Sequence, residues 1–260
     1  MEALWVAKTG LDAQQTRMTV VSNNLANVNT NGFKRSRAIF EDLLYQNVSQ
    51  AGGATSQNTE QPTGLNIGTG VRVVGTEKSF TQGTTVNTGN PFDLMISGRG
   101  FFQVLLPDGT QGYTRDGGFK IDSEGRLVTA SGYEVQPAIS IPTGVTSITV
   151  GGDGLIQATV TGQVQPVTIG TLQITDFINP AGLQPRGQNL LLETAASGSP
   201  QAGNPGLEGR GELVQGAVEG SNVNVVEELV GMIETQRAYE MASKAISTSE
   251  QMLQYLNNNL

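Results

Sequence analysis

Residues 224–258, NVVEELVGMIETQRAYEMASKAISTSEQMLQYLNN, decide how the chain is read. Val225, Met232, Tyr239, Ile246, Leu253 and Leu260 recur every seven residues without a break. The adjoining column, Leu229, Gln236, Ser243, Glu250 and Asn257, is mostly polar, so one apolar stripe is flanked by wetter positions. Ala238, Met241, Ala242, Ala245 and Met252 widen the apolar face. Asn224 followed by Glu227 has the form of a capping box, with Asn replacing the usual Ser or Thr. The pattern predicts a helix of about 50 Å, at about 1.5 Å per residue.

The other end of the chain answers it. Leu4, Leu11, Met18 and Leu25 are spaced by seven, and Ala7, Val21 and Val28 fall three positions after them, with Gln14 as the polar exception. This predicts a second helix over residues 2–29, about 40 Å long. Asn23, Asn24, Asn27, Asn29, Asn31 and then Gly32 supply a stop, because Asn and Gly tolerate the left-handed conformation of helix C-termini. An amphipathic helix packed on its own domain also shows apolar residues at such spacings. A spacing held at seven, with no drift, instead favours the seam of a coiled coil. The seam residues expected at subunit interfaces are Leu4, Leu11, Met18, Val21, Leu25, Val28, Val225, Leu229, Met232, Tyr239, Ile246, Leu253 and Leu260.

Between the helices the texture changes. AGGATSQNTEQPTG, residues 51–64, is polar and carries one charge, Glu60; in isolation it reads as a flexible loop. From about Val71 onward, short runs rich in β-formers, such as Phe101–Leu106 and Leu155–Thr161, alternate with turn signals. Pro107-Asp108-Gly109, Ser123-Glu124-Gly125 and Gly152-Asp153-Gly154 are the clearest of these. Ser97-Gly98-Arg99-Gly100 reads as a further hairpin turn, and residues 195–211 as a Gly, Pro and Ser loop. The expected class is α+β: a helix over 1–31, an extended linker and hairpin region over 32–85, a β-rich domain over 86–222 and a helix over 223–260.

Composition removes most chemistry. The chain has 260 residues, a net charge of −8, no cysteine and no histidine, so thiol nucleophiles, His-based triads and Cys/His metal sites are excluded. Lys and Arg form no cluster that would follow a nucleic-acid backbone. There is no Gly-Lys-Ser/Thr phosphate loop and no nucleophile elbow. Asp108, Asp116, Asp122 and Asp153 lack calcium-loop spacing and sit beside turn residues. No enzyme activity, cofactor or metal is expected. The N-terminus lacks a basic start followed by an apolar run, so no Sec signal is read there, and no apolar stretch approaches membrane-spanning length.

Ser22-Asn23-Asn24-Leu25-Ala26-Asn27-Val28-Asn29-Thr30-Asn31-Gly32-Phe33-Lys34, with Val223-Asn224-Val225-Val226-Glu227-Glu228-Leu229-Val230 and Gln236-Arg237-Ala238-Tyr239-Glu240 at the far end, resembles the paired terminal motifs of bacterial flagellar basal-body rod and hook proteins. Gly98-Arg99-Gly100-Phe101-Phe102-Gln103-Val104 and Tyr113-Thr114-Arg115-Asp116-Gly117 are similar in style to the middle of those proteins. The motif residues carried over are Asn24, Ala26, Asn27, Thr30, Gly32 and Phe33. The resemblance extends over the whole chain and implies a self-assembling structural subunit. Chain length and the polar insertion at 46–64 favour the distal-rod branch, with proximal-rod and hook subunits as alternatives and a β-rich adhesion module further off. A cell-wall hydrolase is a further alternative, but it needs a catalytic acid in a cleft, and the sequence offers no recognisable one. For the distal-rod branch the resemblance implies a helical homopolymer, contacts with proximal rod, hook, P-ring and L-ring proteins, and type III export into a basal body spanning periplasm and outer membrane. The insertion, through Gln46, Gly52, Gly53, Gln57, Pro62 and Gly64, is expected to stiffen the tube.

Overall fold

The computed structural model describes residues 2–49, 54–56, 59–60, 63–162 and 165–258. The chain is α+β, with a helix at each end and a β-rich middle, and it forms two compact units. Unit one takes residues Met1–Ala26, Ser36–Glu77 and Asn224–Leu260; unit two takes Asn27–Arg35 and Lys78–Val223.

Among the described residues, unit one contains α1 (Glu2–Ala26), α2 (Val225–Asn258) and the strands β1 (Ser36–Asp42), β2 (Tyr45–Ser49), β3 (Ala54–Ser56), β4 (Thr59–Glu60), β5 (Leu65–Gly68) and β6 (Val71–Lys78). α1 stops at Ala26, three residues before the expected end. The run of Asn residues explains this, since Asn27 to Gly32 form hydrogen-bonded turns instead: Thr30 N donates to Asn27 O at 3.1 Å, and Phe33 N to Thr30 O at 3.3 Å. α2 starts where the Asn cap was read. The Asn224 side-chain oxygen accepts the Val226 amide at 3.0 Å, satisfying one of the orphan donors of the first turn.

The strands pair in nested order, β1 with β6, β2 with β5 and β3 with β4, and the described residues within 36–78 form an antiparallel arm. Within the stretch 51–64 read as a loop, Ala54–Ser56 and Thr59–Glu60 are strands; residues 51–53, 57–58 and 61–62 lie outside the described residues. The residues of β3 and β4 give no apolar alternation; their pairing, Ala54 with Glu60 and Ser56 with Thr59, rests on the backbone and needs no core. The arm meets α1 where the Thr9 hydroxyl accepts the Val71 amide at 3.3 Å.

In unit two, β7 (Thr85–Asn87) pairs with β22 (Ala217–Glu219) and β8 (Leu94–Ser97) with β21 (Glu212–Gln215). The largest sheet runs β11 (Lys120–Ile121), β12 (Leu127–Val128), β13 (Glu134–Gln136), β9 (Phe101–Leu105), β10 (Gln111–Thr114), β19 (Leu190–Leu192), β18 (Gln184–Gly187). Off this path, β17 (Ile174–Asp176) pairs with both β9 and β20 (Gln201–Gly203). β14 (Val145–Val150), β15 (Leu155–Val160) and β16 (Val167–Thr171) form a separate sheet of three. The presence of β20 corrects the loop expected over 195–211.

Side-chain alternation along β9 builds the interior. Phe101 and Phe102 point to opposite faces of the strand and join different clusters. Phe102 packs edge-on against Phe119 at 4.9 Å between ring centroids, amid Leu94, Val104, Leu127, Val135 and Ile174. Phe101 lies with Tyr113, Phe177, Leu183 and Leu191. Each fully buried ring contributes about 1.5–3 kcal/mol.

The turn signals are where they were read. Gly109, Gly125 and Gly154 all have positive φ. The four turn aspartates each accept a nearby backbone amide: Asp108 from Thr110, Asp116 from Gly118, Asp122 from Ser123 and Asp153 from Leu155. Ser97-Gly98-Arg99-Gly100 is not a hairpin turn. β8 pairs with β21 while β9 pairs with β10, β13 and β17, so these residues form a corner passing the chain between sheets.

Candidate assembly surfaces

α1 and α2 pack against each other within unit one. The residues they withdraw most completely are small or polar: Ala13, Val21 and Asn24 on α1, Glu228 and Thr235 on α2. Asn24 Nδ2 donates to Glu228 Oε2 at 3.2 Å and to Ser36 O at 2.8 Å, while Asn24 Oδ1 accepts the Ser36 amide at 2.9 Å. This one side chain therefore ties α1, the start of β1 and α2 together. Thr235 turns its hydroxyl to the Gly231 carbonyl at 2.6 Å. Glu228, Thr235, Ala242 and Ser249 are spaced by seven, and they are buried or half-buried. The inward column of α2 is thus polar and small.

The seam read from the sequence lies beside this column. On α1, Leu4, Leu11, Met18 and Leu25 are half-buried and Val21 is buried. On α2, Met232 and Ile246 are half-buried, while Val225, Leu229 and Tyr239 remain exposed. Val28 is half-buried in the turns after α1. Leu260 and the Leu253 side chain lie outside the described residues.

A second apolar face exists beside the seam, and Met241 and Met252, read as widening the seam, belong to it. Val226, Val230 and Ile233 follow the i, i+4, i+7 spacing of one helical face, and Met241, Met252 and Tyr255 continue it. All six are exposed, Val226 at 68% and Met241 at 67%. At about 100° per residue, Val226, Val230 and Ile233 lie on the side of the helix away from Glu228 and Thr235. The signal was present in the sequence, but the unbroken column of seven drew the reading to the adjacent side.

The arm carries further exposed apolar side chains: Leu44 at 89%, with Tyr45, Val48, Leu65, Ile67 and Val74. Gln46 pairs across the arm with Ile67 and is exposed, and Gly64 is half-buried. Gly52, Gly53, Gln57 and Pro62 lie outside the described residues.

The remaining motif residues are architectural. Ala26 ends α1. The Thr30 hydroxyl donates to the Asn27 side chain at 3.2 Å. Gly32 has φ 68° and donates its amide to Glu219 O at 2.7 Å. Phe33 lies under the Lys78 ammonium at 5.1 Å, and burial lowers the Lys78 pKa. Among the described residues no cluster of acidic side chains suits a metal ion, and no helix is long and apolar enough to cross a membrane.

Three family profiles match along the chain. Residues 4–34 match the flagella basal body rod protein profile, residues 95–158 the flagellar hook protein FlgE/F/G D1 domain, and residues 214–259 the flagellar basal body rod FlgEFG protein C-terminal profile. A flagellar basal-body rod protein FlgG of Buchnera aphidicola subsp. Schizaphis graminum is 57% identical, with 98% of each chain covered. One of Borreliella burgdorferi is 48% identical over 99% of this chain and 98% of its own. A flagellar hook protein FlgE of Helicobacter mustelae is 46% identical, but over only 52% of this chain and 30% of its own. Helices at both ends, a β-rich middle and these matches define a structural subunit of the flagellar rod and hook class, not an enzyme. The end-to-end likeness goes further: the chain belongs to the flagellar basal-body rod protein FlgG family.

Proposed function

We propose that the chain builds the distal part of the rod as a helical homopolymer that carries torque from motor to hook. Identical subunits joined head to tail by contacts that do not close generate an open helical tube. The observation that carries this reading is the distribution of apolar side chains on α2. The column against α1 is polar and small, while Val226, Val230, Ile233 and Met241 stand uncovered on the far side. A helix pair of this kind holds its greasiest surface in reserve for a second copy. The flanking half-buried columns, Leu4, Leu11, Met18 and Leu25 with Met232 and Ile246, would close as coiled-coil seams in the polymer. Proximal rod and hook proteins at the two ends, the P and L rings around the shaft, type III export and a position from periplasm to outer membrane complete the reading.

Electron microscopy of purified basal bodies tests it. Ile233→Lys and, separately, Leu11→Lys should each abolish the distal rod while the β domain keeps its thermal transition. Rods of normal length and number from both variants would refute the proposal.

A further inference from the structure

Three segments of unit two border the points where the chain passes to and from unit one: residues 27–35, 78–84 and 219–223. They converge on Glu219, whose side chain is fully buried. Its Oε1 accepts Lys34 Nζ at 2.6 Å and the Gly83 amide at 2.8 Å. Its Oε2 accepts Arg115 Nη1 at 3.3 Å. Its carbonyl accepts the Gly32 amide. Lys34 donates onward to Thr81 O at 2.8 Å, and Arg115 Nη2 to Gly98 O at 2.6 Å. At the rim, the Asn222 side chain donates to Ser79 O at 2.9 Å and accepts the Arg35 amide at 2.7 Å. Ser79 N donates to Arg35 O, and Gly220 N to Thr84 O. The segments approach so closely that a Cβ on Gly83 would sit 2.0 Å from Gly220 O.

Two cations and one carboxylate are an expensive way to fill a protein interior. Well-packed apolar side chains of similar volume are often as stabilising, so a buried ionic group is better explained by the geometry it enforces. Burial lowers the pKa of both Lys34 and Arg115, with Glu219 the main opposing influence. Of residues 78–84 only Phe80 packs against either apolar cluster. Besides Phe80, the polar cluster and the backbone bonds around it tie residues 78–84 to the other two segments.

We infer that Glu219 is a positioning residue: with Lys34 and Arg115 it clasps together the three segments of unit two by which the chain enters and leaves that unit, so that load arriving along the backbone is shared among them. The mechanical half rests on the rod reading; the clasp itself does not. Glu219→Gln keeps the size and an acceptor but removes the charge from between two buried cations. Amide hydrogen exchange on the full chain as monomer reads the clasp. Gly32, Ser79, Gly83 and Gly220 should exchange about tenfold faster or more, while β9 and β10 amides stay unchanged. Cells carrying the variant should assemble rods in normal number yet swim more slowly than wild type in viscous medium. Uniform acceleration, or none, overturns the clasp. Local acceleration with undiminished viscous swimming overturns the load-bearing role and leaves the rod reading intact. If the Gln variant does not fold or assemble, Asn222→Ala, which unlaces the same segments at the rim without disturbing a charge, is held to the same outcomes.

Discussion

Gly32 shows how one residue type is dictated by its surroundings. Its φ of 68° lies in the left-handed region, and an added Cβ would meet the Asp116 amide nitrogen at 2.6 Å. Neither the conformation nor the space admits a side chain. Gly32→Ala should therefore destabilise unit two by on the order of 1–3 kcal/mol, read by urea denaturation. Asp108 gives a different kind of test. Its carboxyl is held at about 2, first by the Thr110 hydroxyl, then by the Thr110 amide, with Arg186 adding to them. A carboxylate with a lowered folded pKa contributes stability that is fully present above its ordinary value of 3.8. That contribution is lost as the pH falls toward about 2. Asp108→Asn should flatten this part of the acid limb of the stability curve, and an unchanged slope between pH 4 and pH 2, roughly the window its shift spans, would contradict the assignment. The turn role of Asp108 was legible from Pro107-Asp108-Gly109 alone. The partnership of Lys34 with Glu219 was not, because the two lie 185 residues apart and only the fold brings them together.

At the scale of elements, both helices could be read from periodicity, and the start of α2 from its Asn cap. What periodicity could not give was which side of each helix is covered. Glu228 and Thr235 are poor candidates for burial on composition, yet they face inward, because Asn24 provides Glu228 with a partner and Thr235 bonds its own helix. The arm was illegible for a related reason. β3 and β4 are polar apart from Ala54, and a two-stranded pairing held by backbone hydrogen bonds leaves no alternating signature. Deleting residues 51–62 tests its role as an element. The account predicts curved or flexible polymers by electron microscopy of the deleted protein, with the thermal transition of the β domain retained. Straight, stiff polymers would remove the arm from any part in rigidity.

For the molecule as a whole, the β domain has a conventional apolar interior, while the helices and arm of unit one expose much of their apolar surface. Val226, Ile233, Met241, Leu44 and Tyr45 all lie on that unit. Soluble monomers rarely leave large contiguous apolar patches exposed, and those that do generally use them to bind. The absence of cysteine makes a direct measurement simple, since one engineered thiol is the only one in the chain. Ile233→Cys should react readily with a maleimide in the monomer. If neighbouring copies cover this face, the same thiol in isolated basal bodies will be protected from the reagent until the rod is dissociated. Equal labelling of monomer and assembled rod would show that the outward face of α2 is not where the subunits meet.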